Sequence, residues 1–484
     1  MTSTYSPLLT DLYQITMAYG YWKTGADRKE SVFHLFFRKN PFKGGYTIAC
    51  GLEEVMDFID AFQFSEEDLS YLKQLCGNDN GPLFEPAFID YLRNLDFSCN
   101  VDAVEEGTVV FPHQPLLRIQ GPIVECQLLE TPLLNIINFQ SLIATKSARI
   151  KCSAGDDPVI EFGLRRAQGP NGALGASRAA YVGGTEATSN VLAAKKYGIP
   201  VKGTHAHSWI MSFGSELEAF EKYALAMPNN CLFLVDTYDT IEGIKNAIQV
   251  GLQLKKKGHR LVGIRLDSGD LAYLSIEARK LLDGAGFTDA LIIASNDLSE
   301  EIIDSLKHQG AKINIWGVGT KLVTAYDQPA LGGVYKLGAI RDFEGIWEYR
   351  IKLSEQIIKV SNPGILQVRR FKNTEGLFIG DMIYNTAQPE DRKRQIVDPS
   401  NSIRSKEIES EATFEDLLIP IYKKGSCIYK KPKLIDIKSR VQGQLGQFHE
   451  SIRRNLNPHE YPVGLESGLD RLKNQLMSQA RGML

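Results

Sequence analysis

The sequence predicts an α/β fold with parallel strands in the middle of the chain. Three observations support this: short apolar runs recur at regular spacing, each gap between them has a helical pattern, and polar or glycine residues follow each run. The runs are 159–162, 199–203, 231–235, 260–266, 290–294 and 312–316. Carboxyl ends of parallel strands are where such folds place their sites. The pattern favours either a closed barrel or an open doubly wound sheet.

The composition is that of a globular protein with a substantial core. The chain has 484 residues, of which 43% are hydrophobic and 23% charged, and its formal net charge is −3. We expect two or three domains and no nucleic-acid partner, which would call for a basic excess. No apolar run is long enough to span a membrane, and the N-terminus lacks a signal-peptide pattern. The seven widely spaced cysteines predict no metal or redox pair and favour a reducing, cytoplasmic setting.

The N-terminal segment mixes helices and strands. A first helix carries Tyr13, and its spacing alone favours an ordinary surface or core aromatic over a functional residue. The elements predicted after it are a strand at 31–38, a turn at 40–45, helices over 52–95, a hairpin of 109–111 with 116–119, and a long buried helix over 122–150.

After residue 320 the pattern changes from alternating strands and helices to successive strands. The predicted elements are antiparallel strands at 331–340, 346–353 and 366–371, an exposed polar loop over 385–412, and two amphipathic helices over 434–484.

Glycines, hydroxyls and arginines at the strand ends suit phosphate binding. Glycine allows backbone N–H groups to approach an anion, and a following helix N-terminus favours negative charge. The residues concerned are Ser295, Asn296, Gly317, Gly319 and Thr320, with Arg165 and Arg166 after the first run. Tight turns are the alternative interpretation of the glycines.

Other strand-end residues suggest catalytic chemistry. Asp236, Asp267 and Asp270 suit Mg²⁺, which prefers carboxylates together with water and substrate phosphates, although Asp270 suits a helix N-cap equally well. His207 suits a general base or a nucleophile towards phosphorus, although a lone histidine is more often structural. Arg265 suits a bidentate grip on a carboxylate, or an ordinary ion pair.

A set of ordered motifs resembles the nicotinate phosphoribosyltransferase family. The motifs are LLTDLYQITMAYGYW, FFRKNPFKGGY, EFGLRRAQGP, GTHAHSW, VDTYDT, GIRLDSGDL, SNDL, WGVGTKLVT and GGVYKL, with a weaker echo in NPHEYPV. The resemblance implies an irregular α/β barrel of the type II phosphoribosyltransferases, at residues 151–330. It also implies an α+β domain formed by residues 1–150 and completed by residues 331–484, which add a helical tail.

The resemblance implies a reaction as well. Nicotinate and 5-phosphoribosyl 1-diphosphate would give nicotinate mononucleotide and diphosphate, coupled to ATP hydrolysis, with Mg²⁺, in NAD salvage. His207 matches the histidine that ATP transiently phosphorylates. Tyr13, Thr204 and Arg265 match nicotinate-site positions, and Thr320 matches a position that binds phosphoribosyl diphosphate.

The remaining strand-end residues complete this assignment. Gly317, Gly319, Ser295, Asn296 and Arg165 are expected at the phosphoribosyl diphosphate, and Asp236 and Asp267 at the metal. His205 has no counterpart in the family pattern and is expected behind the residues that touch substrate. Because type II phosphoribosyltransferases commonly share sites across a dimer, we expect a homodimer in which Tyr13 of one subunit completes the partner's site.

Three alternatives remain open from the sequence. A nicotinamide or quinolinate phosphoribosyltransferase would use the same barrel. A Schiff-base lyase would use Lys321, which follows the sixth run. A non-catalytic sensor of nicotinate or of a phosphosugar would bind without turnover.

Overall fold

The computed structural model of the chain describes residues 5–342, 345–356, 359–388, 394–399 and 404–482. The chain divides into two compact units. The first unit comprises Met1–Leu142 with Ala330–Leu484, and the second comprises Ile143–Pro329.

The N-terminal part of the chain alternates short strands with helices. Its elements are α1 Leu12–Lys23, β1 Glu30–Phe36, β2 Thr47–Ile48, α2 Leu52–Asp60, α3 Glu66–Lys73, α4 Pro86–Arg93, β3 Asn100–Val104, β4 Val109–Val110, β5 Leu117–Pro122, α5 Ile123–Leu128 and α6 Glu130–Ala154. Local signals fix several ends: α3 begins at Ser65, which forms a capping box with Asp68, and α4 begins with Pro86 in its first turn.

The predicted strand at 31–38, the helices over 52–95 and the buried helical run over 122–150 are confirmed. The predicted hairpin of 109–111 with 116–119 is wrong, because β4 pairs with β2 while β5 pairs with β1 and β3. The connecting segment explains the difference. The amides of His113 and Leu116 donate to the carbonyls of Phe37 and Leu35, each at 2.7 Å, so this segment follows β1 instead of folding back on β4.

The second unit contains the predicted parallel sheet. Its elements after α6 are β6 Val159–Glu161, α7 Gly169–Gly183, β7 Ala187–Thr188, α8 Val191–Tyr197, α9 His207–Met211, α10 Glu216–Ala226, β8 Leu232–Leu234, α11 Thr240–Lys256, β9 Gly263–Leu266, α12 Leu271–Gly284, β10 Leu291–Ala294, α13 Glu300–His308, β11 Ile315–Val318 and α14 Thr320–Val323. The strands pair in parallel in the order β7-β6-β11-β10-β9-β8.

Five of the six apolar runs contain a strand of this sheet, and the run at 199–203 does not. Its pairing is a single bridge from Val201 to Thr188 in β7. Residues 187–188 lie in the gap after the first run, whose helical pattern predicts a helix, but they form strand β7. Helix α7 ends at Gly183, because Gly184 adopts φ +135°, a conformation outside the helical region that favours glycine.

The sheet is open, in contrast to the closed barrel that the resemblance implied. Strands β7 and β8 are its two edges, and within residues 143–329 no backbone ladder joins them. The edge of β8 is met by a side chain instead, because Nε2 of His205 accepts a hydrogen bond from the Leu234 amide at 3.3 Å.

The C-terminal part of the chain belongs to the first unit. Its elements are β12 Val334–Arg341, β13 Glu348–Tyr349, β14 Leu366–Lys372, β15 Phe378–Asn385, β16 Gln395–Val397, β17 Ser405–Glu407, β18 Thr413–Asp416, β19 Leu418–Lys423, β20 Ser426–Cys427, α15 Leu434–Gln447, α16 Glu450–Arg453, β21 Val463–Glu466 and α17 Ser467–Gly482. A seven-stranded sheet has the order β13-β12-β1-β5-β3-β19-β20, and a six-stranded sheet has the order β17-β16-β21-β15-β14-β18.

The antiparallel strands predicted after residue 330 are confirmed, as are the two tail helices, α15 and α17. The predicted polar loop over 385–412 is wrong in part, because β16 and β17 lie within it, while the other described residues of the range after Asn385 form turns or irregular structure. Strands β16 and β17 form there because the apolar side chains of Ile396 and Val397 are buried. Residues 389–393 and 400–403 of that prediction lie outside the described residues. Across the described ranges, no helix is both long enough and apolar enough to cross a membrane.

Candidate active site

The candidate site lies at the carboxyl ends of the parallel strands in the second unit. Because the strands run in the same direction, the residues that follow them lie along one edge of the sheet. The structure brings together four side chains there: His207 at the start of α9, Asp236 and Thr237 after β8, and Asp267 after β9.

The two nitrogens of the His207 imidazole have different surroundings. Nδ1 lies 3.1 Å from Oγ1 of Thr237. Nε2 lies 4.0 Å from Oδ1 of Asp236 and 3.8 Å from Oδ2 of Asp267, and 40% of the side chain is exposed. The ring is therefore oriented by a hydroxyl on one side, and its other nitrogen faces two carboxylates and remains accessible.

The carboxylates of Asp236 and Asp267 each have one oxygen engaged by protein groups. Oδ2 of Asp236 accepts from the Asp267 amide at 2.8 Å and from Oγ of Ser268 at 2.7 Å. Oδ1 of Asp267 accepts a short hydrogen bond from Ser295. Oδ1 of Asp236 is buried without a hydrogen-bond partner in the described chain. This oxygen and Oδ2 of Asp267 follow adjacent strands, and two carboxylate oxygens in that arrangement fit Mg²⁺, which takes its other ligands from water and phosphate.

Asp270 does not belong with these carboxylates. Its Oδ1 accepts from the Tyr273 amide at 3.0 Å and caps α12, which decides the alternative that the sequence left open. The described residues contain no group of three or more His, Cys, Asp or Glu placed to hold a metal ion. A cation between Asp236 and Asp267 would therefore depend on the substrate for part of its coordination.

Arg265 and Thr204 form a second part of the site. Nη1 of Arg265 donates to Oγ1 of Thr204 at 2.8 Å, while Nε is buried without a hydrogen-bond partner. Burial is the main cause that lowers the pKa of Arg265, and Asp267 and Asp236 oppose it. Within the described chain Arg265 forms no salt bridge, so the ordinary ion pair is not found. A buried guanidinium with an unused N–H is suited to a carboxylate ligand.

The glycine loops have packing reasons as well as possible ligand roles. A Cβ on Gly317 would lie 2.7 Å from the ring of Phe162, and one on Gly319 would lie 3.2 Å from the Phe162 carbonyl oxygen. Close approach of β6 and β11 thus requires small residues there. Thr320 is half-buried at the start of the four-residue α14, so its hydroxyl is the more specific candidate for a phosphate contact.

The other predicted phosphate residues lie around the same edge. Ser295 is buried and donates to Asp267, and the exposed Asn296 adopts φ +92°. Arg165 and Arg166 are exposed in a 3₁₀ turn at Leu164–Arg166. Lys321, the candidate Schiff-base residue, has its amine 3.4 Å from the centroid of the Tyr326 ring.

Tyr13 is the predicted site residue that lies in the first unit. It belongs to α1, where Leu12 is 56% exposed, Tyr13 48% and Met17 41%. These three apolar side chains form an exposed patch, which we call the α1 patch.

The sequence singles out Arg38, which ends an aromatic-rich strand with no evident partner in its own segment, but sequence reasoning missed the other basic side chains grouped with it in the first unit. Burial lowers the pKa of Lys473 to about 8. Burial also lowers the pKa of Lys336, and Lys352 and Arg38 add to that effect. Burial lowers the pKa of His113 to about 4, with Lys473 and Arg38 contributing. These residues are scattered between positions 38 and 473, so no local pattern reveals the cluster.

Thr237 was also missed as the partner of His207. The signal was present, because Thr237 directly follows Asp236 at the end of β8 in VDTYDT. A hydroxyl at that position is equally consistent with a turn. Its hydrogen-bond partner, His207, is supplied by α9, which is distant in sequence.

Comparisons with known proteins agree along the whole chain. Residues 8–138 match the family model of the nicotinate phosphoribosyltransferase N-terminal domain, residues 158–341 that of the nicotinate phosphoribosyltransferase family, and residues 366–473 that of the C-terminal domain. The chain is 45% identical over 485 residues to nicotinate phosphoribosyltransferase of Bacillus subtilis (strain 168), covering 99% of this chain and 96% of that protein.

Two further relatives support the same relationship. Nicotinate phosphoribosyltransferase 1 of Arabidopsis thaliana is 41% identical over 528 residues, covering 96% of this chain and 92% of that protein. The crystal structure of human nicotinic acid phosphoribosyltransferase superposes with a TM-score of 0.84 at 34% identity, covering 96% of this chain and 99% of that chain.

Proposed function

The chain belongs to the nicotinate phosphoribosyltransferase family and is an enzyme of that type. We propose that it couples the transfer of the phosphoribosyl group to ATP hydrolysis through a phosphohistidine. Nicotinate and 5-phosphoribosyl 1-diphosphate would give nicotinate mononucleotide and diphosphate in NAD salvage. The observation that carries the proposal is the placement of His207 between Thr237 and two carboxylates, at the same sheet edge as the half-buried Arg265.

Nicotinate would bind through its carboxylate at Arg265. The guanidinium keeps Nη1 on Thr204 and has its buried Nε available, so a carboxylate would satisfy a donor that otherwise costs free energy. Nicotinamide, the first alternative substrate, carries no charge for this guanidinium. Quinolinate, the second, carries an additional carboxylate, which would need a second cation besides Arg265.

His207 would accept the γ-phosphoryl group of ATP. The Nε2–P bond would form as the bond between phosphorus and the β–γ bridging oxygen breaks, and ADP would leave with the electron pair of that bond. Nε2 suits this role because Nδ1 is engaged by Thr237. Asp236 and Asp267 would hold Mg²⁺ through their inward oxygens. When bound, Mg²⁺ would neutralise charge on the phosphate groups.

Phosphoribosyl diphosphate would lie along the loops after β6, β10 and β11. Thr320, Gly319, Asn296 and Arg165 supply hydroxyl, backbone, amide and cationic groups for its phosphates. The ribosyl carbon gains positive character as diphosphate leaves, and the carboxylate of Asp236 or Asp267 would favour that charge.

We also propose a homodimer with shared sites. The α1 patch is an exposed apolar surface, and such surfaces mark contacts between proteins. The basic cluster of the first unit includes Arg38, whose Nε is buried without a hydrogen-bond partner in the described chain. A partner subunit that brings its bound diphosphate to this cluster would supply the missing acceptor.

We further propose a cytoplasmic setting. The cysteines of the described chain are thiols and form no disulfide, which suits a reducing compartment.

Diphosphate release tests the function directly. The purified protein should release diphosphate with nicotinate and 5-phosphoribosyl 1-diphosphate, and faster when ATP and Mg²⁺ are added. Nicotinamide and quinolinate in the same assay test the alternative substrates. Release without any effect of ATP would contradict the coupling. Binding of nicotinate without turnover would indicate a sensor, and loss of activity with borohydride would indicate a Schiff base at Lys321.

A further inference from the structure

His205 is a buried histidine that the proposed reaction leaves without a role. It is 8% exposed, and its ring lies 4.9 Å from the ring of Tyr223, 6.1 Å from that of Phe220 and 6.3 Å from that of Phe233. An imidazole among aromatic rings is ordinary packing. Its Nε2, however, accepts a hydrogen bond from the Leu234 amide at 3.3 Å. This contact joins the ring to the edge of the parallel sheet.

Leu234 is the last residue of the edge strand β8. On its other side β8 pairs with β9, where Leu234 is opposite Arg265. A further strand would normally supply the acceptor for the outward amide of an edge residue. Here the segment 203–206 forms no ladder with β8, and the imidazole supplies the acceptor instead. His205 therefore attaches this segment to the sheet edge at a single point.

Both neighbours of this attachment point carry site residues. Oγ1 of Thr204 donates to the backbone carbonyl of His205 at 3.0 Å and accepts from Nη1 of Arg265 at 2.8 Å. Two residues after His205, the imidazole of His207 meets Thr237, which lies three residues beyond Leu234. The position of His205 on β8 thus sets the positions of Thr204 against β9 and of His207 against the end of β8.

We propose that His205 is a positioning residue, whose neutral imidazole fixes the segment 203–207 on the edge of β8. It holds Thr204 against Arg265 and His207 against Thr237. It touches neither substrate nor phosphoryl group and acts through these two contacts. This role rests on the proposed function only for its kinetic consequences. The hydrogen bond itself is a property of the folded chain.

The protonation state of the ring agrees with this role. An Nε2 that accepts a hydrogen bond carries no proton, so the neutral ring has its proton on Nδ1. Burial lowers the pKa of His205 to about 4; the backbone of Ala206 opposes this effect, and Arg265 and His207 add to it. Nε2, which accepts from the Leu234 amide, is the polar attachment of the ring to the sheet edge.

Two variants separate the acceptor from the packing. His205→Gln retains a side-chain oxygen that reaches the position of Nε2, and His205→Phe fills the aromatic pocket without an acceptor. We expect His205→Phe to raise KM for nicotinate and to slow phosphorylation of His207 by ATP, each roughly tenfold, because a buried amide loses its partner. KM for phosphoribosyl diphosphate should change less than about twofold, since its loops follow β6, β10 and β11. His205→Gln should restore both values towards those of the parent.

Several outcomes would overturn the role. An equal rise in KM for nicotinate and an equal slowing of phosphorylation in both variants would show that the hydrogen-bond acceptor at residue 205 is not required. Unchanged kinetics in His205→Phe with lowered thermal stability would show a purely structural residue. A proportional loss of activity towards all substrates would indicate general damage.

A measurement on the parent protein covers the case in which His205→Phe does not fold. The ¹⁵N spectrum of the histidine rings, assigned by the signal missing in His205→Gln, should show a neutral His205 with its proton on Nδ1. A proton on Nε2 would overturn the proposal. This spectrum does not depend on turnover. If the parent protein showed no activity with nicotinate, the proposed function would fail while the spectrum still decided the role of His205.

Discussion

Nδ1 of His207 lies 3.1 Å from Oγ1 of Thr237, and this contact leaves the other ring nitrogen, Nε2, available for chemistry. With Nδ1 engaged, Nε2 is left towards Asp236 and Asp267. The carboxylates would favour a ring that gains positive charge, as it does when its nitrogen is phosphorylated. Nε2 is therefore the atom that the proposed phosphohistidine would use.

Replacement of His207 tests this assignment. The protein should incorporate ³²P from γ-labelled ATP in an acid-labile, base-stable form, and His207→Ala should incorporate none. The same variant should keep some ATP-independent transfer, because the remaining side chains still position both substrates. Persistent acid-labile labelling in His207→Ala would place the phosphoryl group elsewhere.

Replacement of Thr237 tests the orienting contact. Thr237→Val removes the hydroxyl and keeps nearly the same shape, so the imidazole loses one hydrogen bond worth about 1 kcal/mol. Phosphorylation of His207 should slow roughly fivefold, the factor that corresponds to this free energy. Thr24→Val is a matched control, because Thr24 donates a comparable bond to the Gly20 carbonyl at the end of α1. An equal effect in the control would contradict a specific role for Thr237.

Arg265→Lys should weaken nicotinate binding while the fold is kept. Lysine retains the charge but not the planar pair of donors, so KM for nicotinate should rise roughly 10- to 100-fold. Arg279 offers a matched control, since it donates to the backbone carbonyls of Ala290 and Phe287 and to Asp283. Arg279→Lys should lower the melting temperature and leave KM unchanged. Equal KM values for nicotinate in Arg265→Lys and Arg279→Lys would show that Arg265 does not bind nicotinate.

The strands of the second unit and the chemistry at their ends could be predicted because both are local properties. Runs such as 231–235 and 290–294 are apolar for their full length, as strands covered on both faces must be. The polar residues after them follow directly in sequence. Asp236, Asp267 and Ser295 could therefore be assigned to one edge before any contact was known.

Strand partners could not be predicted, because they depend on contacts between distant residues. An apolar pair such as Val109 and Val110 fits a hairpin with 116–119 as well as it fits the observed pairing with β2. The same limit applies to the sheet edge. Nothing near His205 in sequence indicates that its ring occupies the place of a strand beside Leu234, since that contact spans 29 residues.

His34 predicts a pH dependence of the stability of the first unit. It is 2% exposed, and its Nε2 accepts from the Leu366 amide at 3.1 Å. Burial, with Arg118 adding, lowers the pKa of His34 to about 3 from a model-compound value of 6.5. The unfolded chain therefore binds a proton below pH 6.5 that the folded chain binds only near pH 3. As a result, the free energy of unfolding falls by about 2 kcal/mol between pH 7 and pH 5.

His34→Gln should remove this pH dependence, since glutamine supplies an acceptor that does not titrate. Urea unfolding of parent and variant at pH 8 measures the cost of the substitution itself, because the protonation penalty is absent there. At pH 5 the free energy of unfolding of the variant, relative to that of the parent, should be about 2 kcal/mol higher than at pH 8. A difference that stays constant between pH 8 and pH 5 would contradict a buried neutral His34.

Mixed dimers test the sharing of sites between subunits. Tyr13 is exposed in the α1 patch, and Arg265 lies at the strand ends of the second unit. If Tyr13 of one subunit stacks on the nicotinate held by Arg265 of the partner, Tyr13→Ala should weaken binding by more than the roughly 0.5–1.5 kcal/mol of stacking alone, because burial of the ring is also lost.

The two variants Tyr13→Ala and Arg265→Ala, assayed at a nicotinate concentration too low for either alone to turn over measurably, should therefore complement each other. In a heterodimer with shared sites, one site carries both substitutions and the other carries neither, so co-refolded mixtures should regain activity. Random pairing makes about half of the dimers mixed, each with one intact site of two, so about a quarter of parental activity is expected. Differently tagged subunits would confirm that heterodimers form. Heterodimers without any recovered activity would show that Tyr13 and Arg265 serve the same subunit's site, since each site would then carry one substitution.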